Sequence, residues 1–240
     1  MANSWAKDRA NAFYMGMAGL SVAAVLAGFS TTYFFPGVRG TLGIPWVAHV
    51  HGWLAMGWVV LLTTQVLLVR AGKTRLHRRI GWMGLPLALS IWASSVPLGR
   101  WVAARDLPEQ GGFAYAAFAG TLISLTLFLT LVIAAFALRS RPDWHKRLIL
   151  LATIVLLWPA YFRFRHFLPF VPRPEITLAL LLADLPILVA AIRDRVRFGR
   201  VHPAWAIVGS AVFVEQVAEI AAFESGITAT LGEALFALFD

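Results

Sequence analysis

The 240-residue sequence contains no cysteine, which excludes disulfide bridges and thiolate metal sites and leaves His, carboxylate and carbonyl groups to bind any metal. Charge is scarce as well. Asp, Glu, Lys and Arg make up 14% of the chain, with 12 acids against 21 Lys and Arg. A soluble domain carries about a quarter charged residues. Common catalytic signatures are also missing. Neither GxGxxG nor GxxxxGK[ST] occurs, so no phosphate cradle is encoded. HExxH and GxSxG are absent, and so are the His-box spacings of membrane di-iron hydroxylases and desaturases.

What is present is apolar. Hydrophobic residues make up 59% of the chain and the mean hydropathy is +0.72, values that belong to a membrane protein. The formal charge of +9 does not point to nucleic acid, because Lys and Arg sit in short turns between apolar runs and not on one amphipathic face. The first apolar run follows a charged start, but it is longer than a signal h-region and reads as a retained helix.

Runs of about 20 apolar residues, enough to span ~30 Å of hydrocarbon at ~1.5 Å per residue, number seven. They lie near 12–35, 46–69, 80–101, 112–138, 147–166, 175–193 and 204–224. Their length and continuity predict an all-α integral membrane bundle of seven transmembrane helices and not barrel strands. A six-helix count is the competing reading. With seven helices, 15 of the 21 basic residues fall on the side of the N-terminus and the 2–3, 4–5 and 6–7 turns, among them Arg78, Arg79, Lys146 and Arg147. The positive-inside rule then predicts a cytoplasmic N-terminus and an external C-terminus. Residues 226–240 predict a short interfacial helix with Leu231, Ala234, Leu235 and Leu238 on its apolar face, or else a frayed tail.

A shift of 68 residues lays LVRAGKTRLHRRIG (68–81) over FALRSRPDWHKRLIL (136–150). His77 then meets His145, Arg78 meets Lys146 and Arg79 meets Arg147. Helices 2–3 and 4–5 thus look like two copies of one helical hairpin, and RVHPAW suggests a weaker third copy with His202 opening helix 7. Each His would stand at a helix N-terminus, where the dipole favours the neutral, ligating ring. The bland alternative is that these basic turns, Arg78, Arg79, Lys146, Arg147 and His202 included, only cap helices and touch lipid phosphate.

Ionisable groups deep in a bilayer are costly, about 2.5 to 3.5 kcal/mol each on insertion scales, and so are the first functional candidates. Asp184 and Glu215 fall near the midplane, with Glu219 one turn beyond Glu215 on the same face. Arg163 and His166 share the outer end of helix 5. His51 lies in the outer part of helix 2, on a face with Trp58, Leu62 and Gln65. His49 stands about 200° from it around a regular helix. One reading is a buried site of His51, Arg163, Asp184, Glu215 and Glu219. The other is a salt bridge in which Arg163 or Arg165 neutralises an acid between helices, ordinary glue in a membrane bundle.

The strings HVHGW, LHRRIG and DWHKRLILLAT, with Arg163, Asp184 and His202 downstream, resemble an uncharacterised family of bacterial polytopic inner-membrane proteins. The resemblance covers residues 45 to 205 and implies an inner-membrane bundle without an assigned substrate. More loosely, the His-to-LHRR-G hairpin is similar to hairpins of small membrane proteins linked to haem handling and terminal-oxidase assembly. Three functions remain open. The first is a redox protein holding haem b or a divalent metal ion through His49, His51 and His166 on the outer side, or His77 and His145 on the inner side. The second is a proton-coupled transporter using Asp184, Glu215 and Glu219. The third is a non-catalytic scaffold subunit of a membrane complex. The expected surroundings are the lipid bilayer, with a membrane-protein partner or a second copy and no nucleic acid.

Overall fold

A computed structural model describes residues 12–239. Among these residues the chain is helical without strands, and seven helices are long and apolar enough to cross a membrane. They are α1 (Ala12–Val38), α2 (Trp46–Arg70), α3 (Thr74–Gln110), α4 (Gly112–Ala137), α5 (Pro142–His166), α6 (Pro174–Phe198) and α7 (Ala204–Glu224). A shorter apolar helix, α8 (Ile227–Leu238), follows. The chain is a multi-pass helical membrane protein.

The apolar runs place six of the seven spans closely. The exception is α3, expected over 80–101, which is longer at both ends. Its first two turns, Thr74–Gly81, are a strongly amphipathic helix in their own right, set off by a turn at Trp82 and Met83. The sequence TRLHRRIG therefore folds as helix, where hydropathy alone suggested a turn. Its basic face is exposed, and His77 is half-buried. At the other end the helix continues through Arg105 to Gln110 and stops at Gly111, whose φ of 56° suits a residue without Cβ.

The core lies on α4 and α5. Phe128, Val132, Ala135, Leu148 and Leu151 form its centre, with Trp58 of α2 and Ile91 of α3 packed onto them. Trp58 Nε1 donates to Thr153 Oγ1 at 3.1 Å, which satisfies both polar atoms inside the apolar cluster and ties α2 to α5. The Trp58 ring meets Phe128 edge-on, with centroids 4.9 Å apart. By contrast, α2, α6 and α7 present Val60, Leu188, Val196 and Val214 outward, as lipid-facing helices do. Three spans contain π-helical turns: Ser30–Phe34, Thr177–Leu182 and Ala204–Gly209. Such widened turns often mark functional positions.

The terminal helix corrects an expectation. It docks on α3 and α4 through Thr228, Gly232, Leu235 and Phe236, while Leu231 and Leu238 of the expected apolar face are exposed. Phe236 meets Tyr115 and Phe118 edge-on and lies under the Arg100 guanidinium. The approach is so close that a Cβ on Gly232 would overlap the backbone carbonyl of Tyr115. Overlap with backbone cannot be relieved by a rotamer change. Gly232→Ala is therefore expected to release α8 from α4, making residues 227–239 a cleavage site in limited proteolysis. The parent chain should stay intact under the same conditions.

Candidate functional site

Three groups of polar residues occupy the bundle, each at a different place. The first surrounds a cavity of about 690 Å³ at the end of the bundle that carries the 2–3, 4–5 and 6–7 turns, here the basic end. Its walls are apolar and aromatic, built from Trp58, Leu61, Leu62, Val66, Trp82, Phe136, Ile149 and Leu150. Along α2 it extends from Arg70 to Trp58, about 18 Å of helix. The stripe Trp58, Leu62 and Gln65, which helical spacing had put on one face, lines it. Arg70, Arg78, Arg139 and Lys146 also line it, and among the described residues no carboxylate does. Arg139 lies over the Trp82 ring and Lys146 over the Tyr14 ring, which keeps both cations at the cavity edge.

His77 and His145 both line this cavity. His145 stands near the start of α5, and its Nδ1–H donates to the carbonyl of Ala135 at 2.8 Å. That carbonyl lies in the last turn of α4, where it has no intrahelical partner to lose. The bond fixes the tautomer and leaves the Nε2 lone pair as the free face of the ring. On α3, His77 meets Gln65. With the Gln65 amide turned to satisfy both ends, its nitrogen donates to His77 Nδ1 at 2.5 Å and to the His77 carbonyl at 3.0 Å, while its oxygen accepts the Gly81 N–H at 3.3 Å. An amide suits either tautomer of the ring: turned over, its oxygen accepts from a protonated Nδ1. The two histidines that the 68-residue shift overlays thus face one cavity, each with an adjoining cation, Arg78 or Lys146, beside it.

The other basic-turn residues do something different. Arg79 is exposed and outside the cavity lining. Arg147, fully buried, donates through Nε and Nη2 to Asp194 Oδ2 at 3.1 and 2.8 Å and through Nη1 to the carbonyl of Asp143. Arg193 donates to the second oxygen of Asp194 at 2.8 Å. His202 accepts the Ala204 N–H at Nδ1, so its Nε2 carries the proton and donates to Asp143 Oδ2 at 3.1 Å. This network joins α5 to α6 and to the start of α7. A buried ion pair was expected, but with the wrong partners. Asp143 and Asp194 were not singled out, because charges near helix ends look like ordinary turn residues in a sequence.

His202 lies outside the spanning segments. Burial lowers its pKa, outweighing the opposing pull of Asp143. The folded state therefore prefers the neutral ring more than the unfolded chain does. Stability from this source is complete above about pH 6.5 and falls as pH drops towards the lowered folded value, because there the unfolded chain binds the extra proton. Thermal unfolding in detergent should show that decline, and His202→Gln should flatten it.

The far end of the bundle separates residues that had been grouped together. His49 Nδ1 pairs with Tyr33 OH at 2.9 Å, and His51 Nδ1 with Ser94 Oγ at 3.0 Å, so the two rings turn to α1 and α3 respectively. His166 is exposed in the 3₁₀ turn that ends α5. Arg163 lies over the Phe29 ring at 4.3 Å and donates to the carbonyl of Pro159 at 2.8 Å. Arg165 likewise lies over Phe162. Neither forms an ion pair with a carboxylate among the described residues, which overturns the expected bridge to an acid of α6 or α7.

The acids form their own group. Gln216 Nε2 donates to Asp184 Oδ1 at 3.4 Å, and Ser124 Oγ donates to Glu219 Oε2 at 3.0 Å. Gly120 makes room for Glu219, since a Cβ there would stand 2.7 Å from Glu219 Oε1. His51 and Arg163 do not join this group. Gln216 and Ser124 had gone unnoticed because uncharged polar residues are common in membrane helices. Among the described residues, no three His, Asp or Glu side chains gather as a metal site.

No protein family, curated protein or solved structure matches the chain. Function therefore rests on the geometry of these three groups.

Proposed function

We propose that this protein is a membrane redox protein that binds haem b in the cavity at the basic end, where His77 and His145 would be the residues that hold the iron. The observation that carries the reading is the pair of imidazoles lining one cavity, one of them with its tautomer fixed by the Ala135 carbonyl. A structural or catalytic zinc takes three or more protein ligands, and among the described residues no such group gathers. A porphyrin brings four nitrogens of its own, so two imidazoles complete the iron. The rest of the cavity suits the same ligand. Its volume lies within the range of about 300 to 1,000 Å³ usual for small-molecule sites. Its aromatic walls match a flat apolar macrocycle. Arg70, Arg78 and Arg139 are exposed at its edge, where propionates would emerge.

When bound, the haem supplies one-electron chemistry. The chain would hold the iron through His77 and His145, pair the carboxylates with Arg70, Arg78 and Arg139, and surround the ring with apolar and aromatic side chains that would tune its potential. The excess of Lys and Arg at this end supports placement in a bacterial inner membrane with the basic end cytoplasmic.

Haem titration of purified apoprotein tests the proposal. Saturation at one equivalent per chain, with the spectrum of a six-coordinate low-spin haem, is the expected result. Non-saturating uptake, or a lipid phosphate retained in the cavity while haem is refused, would overturn it.

A further inference from the structure

The acid group on α6 and α7 lies apart from the cavity and rests on separate observations. Asp184 and Gln216 are 6% and 5% exposed, and they face each other across the two helices. One hydrogen bond joins them, from Gln216 Nε2 to Asp184 Oδ1. The remaining two polar atoms, Asp184 Oδ2 and Gln216 Oε1, are both buried without a partner, and an ionised Asp184 would make both of them acceptors. Among the described residues no ion pair relieves this. Arg163 and Arg165 are held by aromatic rings and backbone carbonyls, and Arg147 is committed to Asp194. The ionisable group that acts on Asp184 is Glu215, another acid, whose own Oε2 is buried without a partner.

Two buried acceptors on side chains already joined by one hydrogen bond lack a hydrogen to share. A proton on Asp184 Oδ2 supplies it. The carboxyl O–H donates to Gln216 Oε1 while the amide N–H donates to Oδ1, closing an acid–amide ring with both partners satisfied and no net charge. An unpaired carboxylate at this depth would instead cost several kcal/mol. The position also follows directly on the π-helical turn Thr177–Leu182, which widens α6 just before Asp184.

We propose that Asp184 and Gln216 form an intramembrane proton-binding site, in which Asp184 holds a proton at neutral pH and Gln216 receives it as a hydrogen bond. The ligand is the proton itself, and the neighbouring titratable group that acts on Asp184 is Glu215.

Infrared difference spectroscopy on the full-length protein in lipid at neutral pH tests this directly. Wild type should show a carboxylic-acid C=O band that shifts in D₂O and, in protein labelled with ¹³C at the Asp carboxyl, shifts again. Asp184→Asn should lose one such band per chain. Gln216→Leu should keep the band but move it to the position of an unbonded acid. The labelled wild type reads the site even where a variant folds poorly. An Asp184 that contributes only carboxylate bands, or a C=O band untouched by label and substitution, would overturn the proposal.

Discussion

Replacing His145 with Ala is expected to weaken haem binding by more than about 100-fold, beyond the 10- to 100-fold typical of losing a group that merely orients a ligand. The reason is the rigidity of this ring. Its Nδ1–H is anchored on the Ala135 carbonyl at 2.8 Å, and Phe136 packs against its face edge-on. Among the described residues, His77 is the one other imidazole in the cavity lining. His77→Ala should do less harm and leave a five-coordinate, high-spin haem, because the stiffer ligand remains. Gln65→Ala should fall between wild type and His77→Ala, since it removes the amide that holds the His77 ring and backbone in place without removing a ligand. Arg79→Ala, exposed and outside the cavity, should bind as wild type does. Absorption titrations of the four variants, each checked for folding, give the comparison.

The second large effect concerns the network that holds the basic end together. Arg147→Ala or Asp194→Ala is expected to destabilise the protein by about 3 to 5 kcal/mol, because either change leaves a desolvated charge without its partner. Both side chains are fully buried, so solvent cannot compensate. Losing Arg147 is the more forgiving of the two, since Arg193 still reaches Asp194 Oδ1. The double variant Arg147→Met/Asp194→Leu should recover most of the loss, as a buried pair exchanged for apolar residues of similar size often does. Thermal unfolding in detergent separates these outcomes. Equal melting of Arg147→Ala and wild type would mean that the pair contributes nothing.

Hydropathy made the architecture legible, because a bilayer demands about 20 apolar residues per crossing and satisfies backbone groups only within helices. What it hid were the places where a helix runs on into water. The basic segment Thr74–Gly81 has no apolar run, yet its residues alternate with helical period and it folds as the start of α3. The LHRR and WHKR strings suggest a duplication, and the two histidines that it aligns, His77 and His145, line one cavity. The partners were not visible. Helix spacing placed Trp58, Leu62 and Gln65 on one face, but which histidine Gln65 would meet depends on the turn after Arg70. Likewise Arg147 and Arg163 look alike in sequence. One meets a carboxylate and the other a phenylalanine, a difference set by how α5, α6 and α1 pack.

The proposal places His77 of α3 and His145 of α5 on one haem. Its most direct measurement is the electron paramagnetic resonance spectrum of ferric protein purified from membranes of haem-replete cells, taken beside the double variant His77→Ala/His145→Ala. A low-spin signal of an iron with two axial imidazoles, at one haem per chain and absent from a folded double variant, is the predicted result. A folded, colourless wild type, or a haem signal that survives the double substitution, would contradict it.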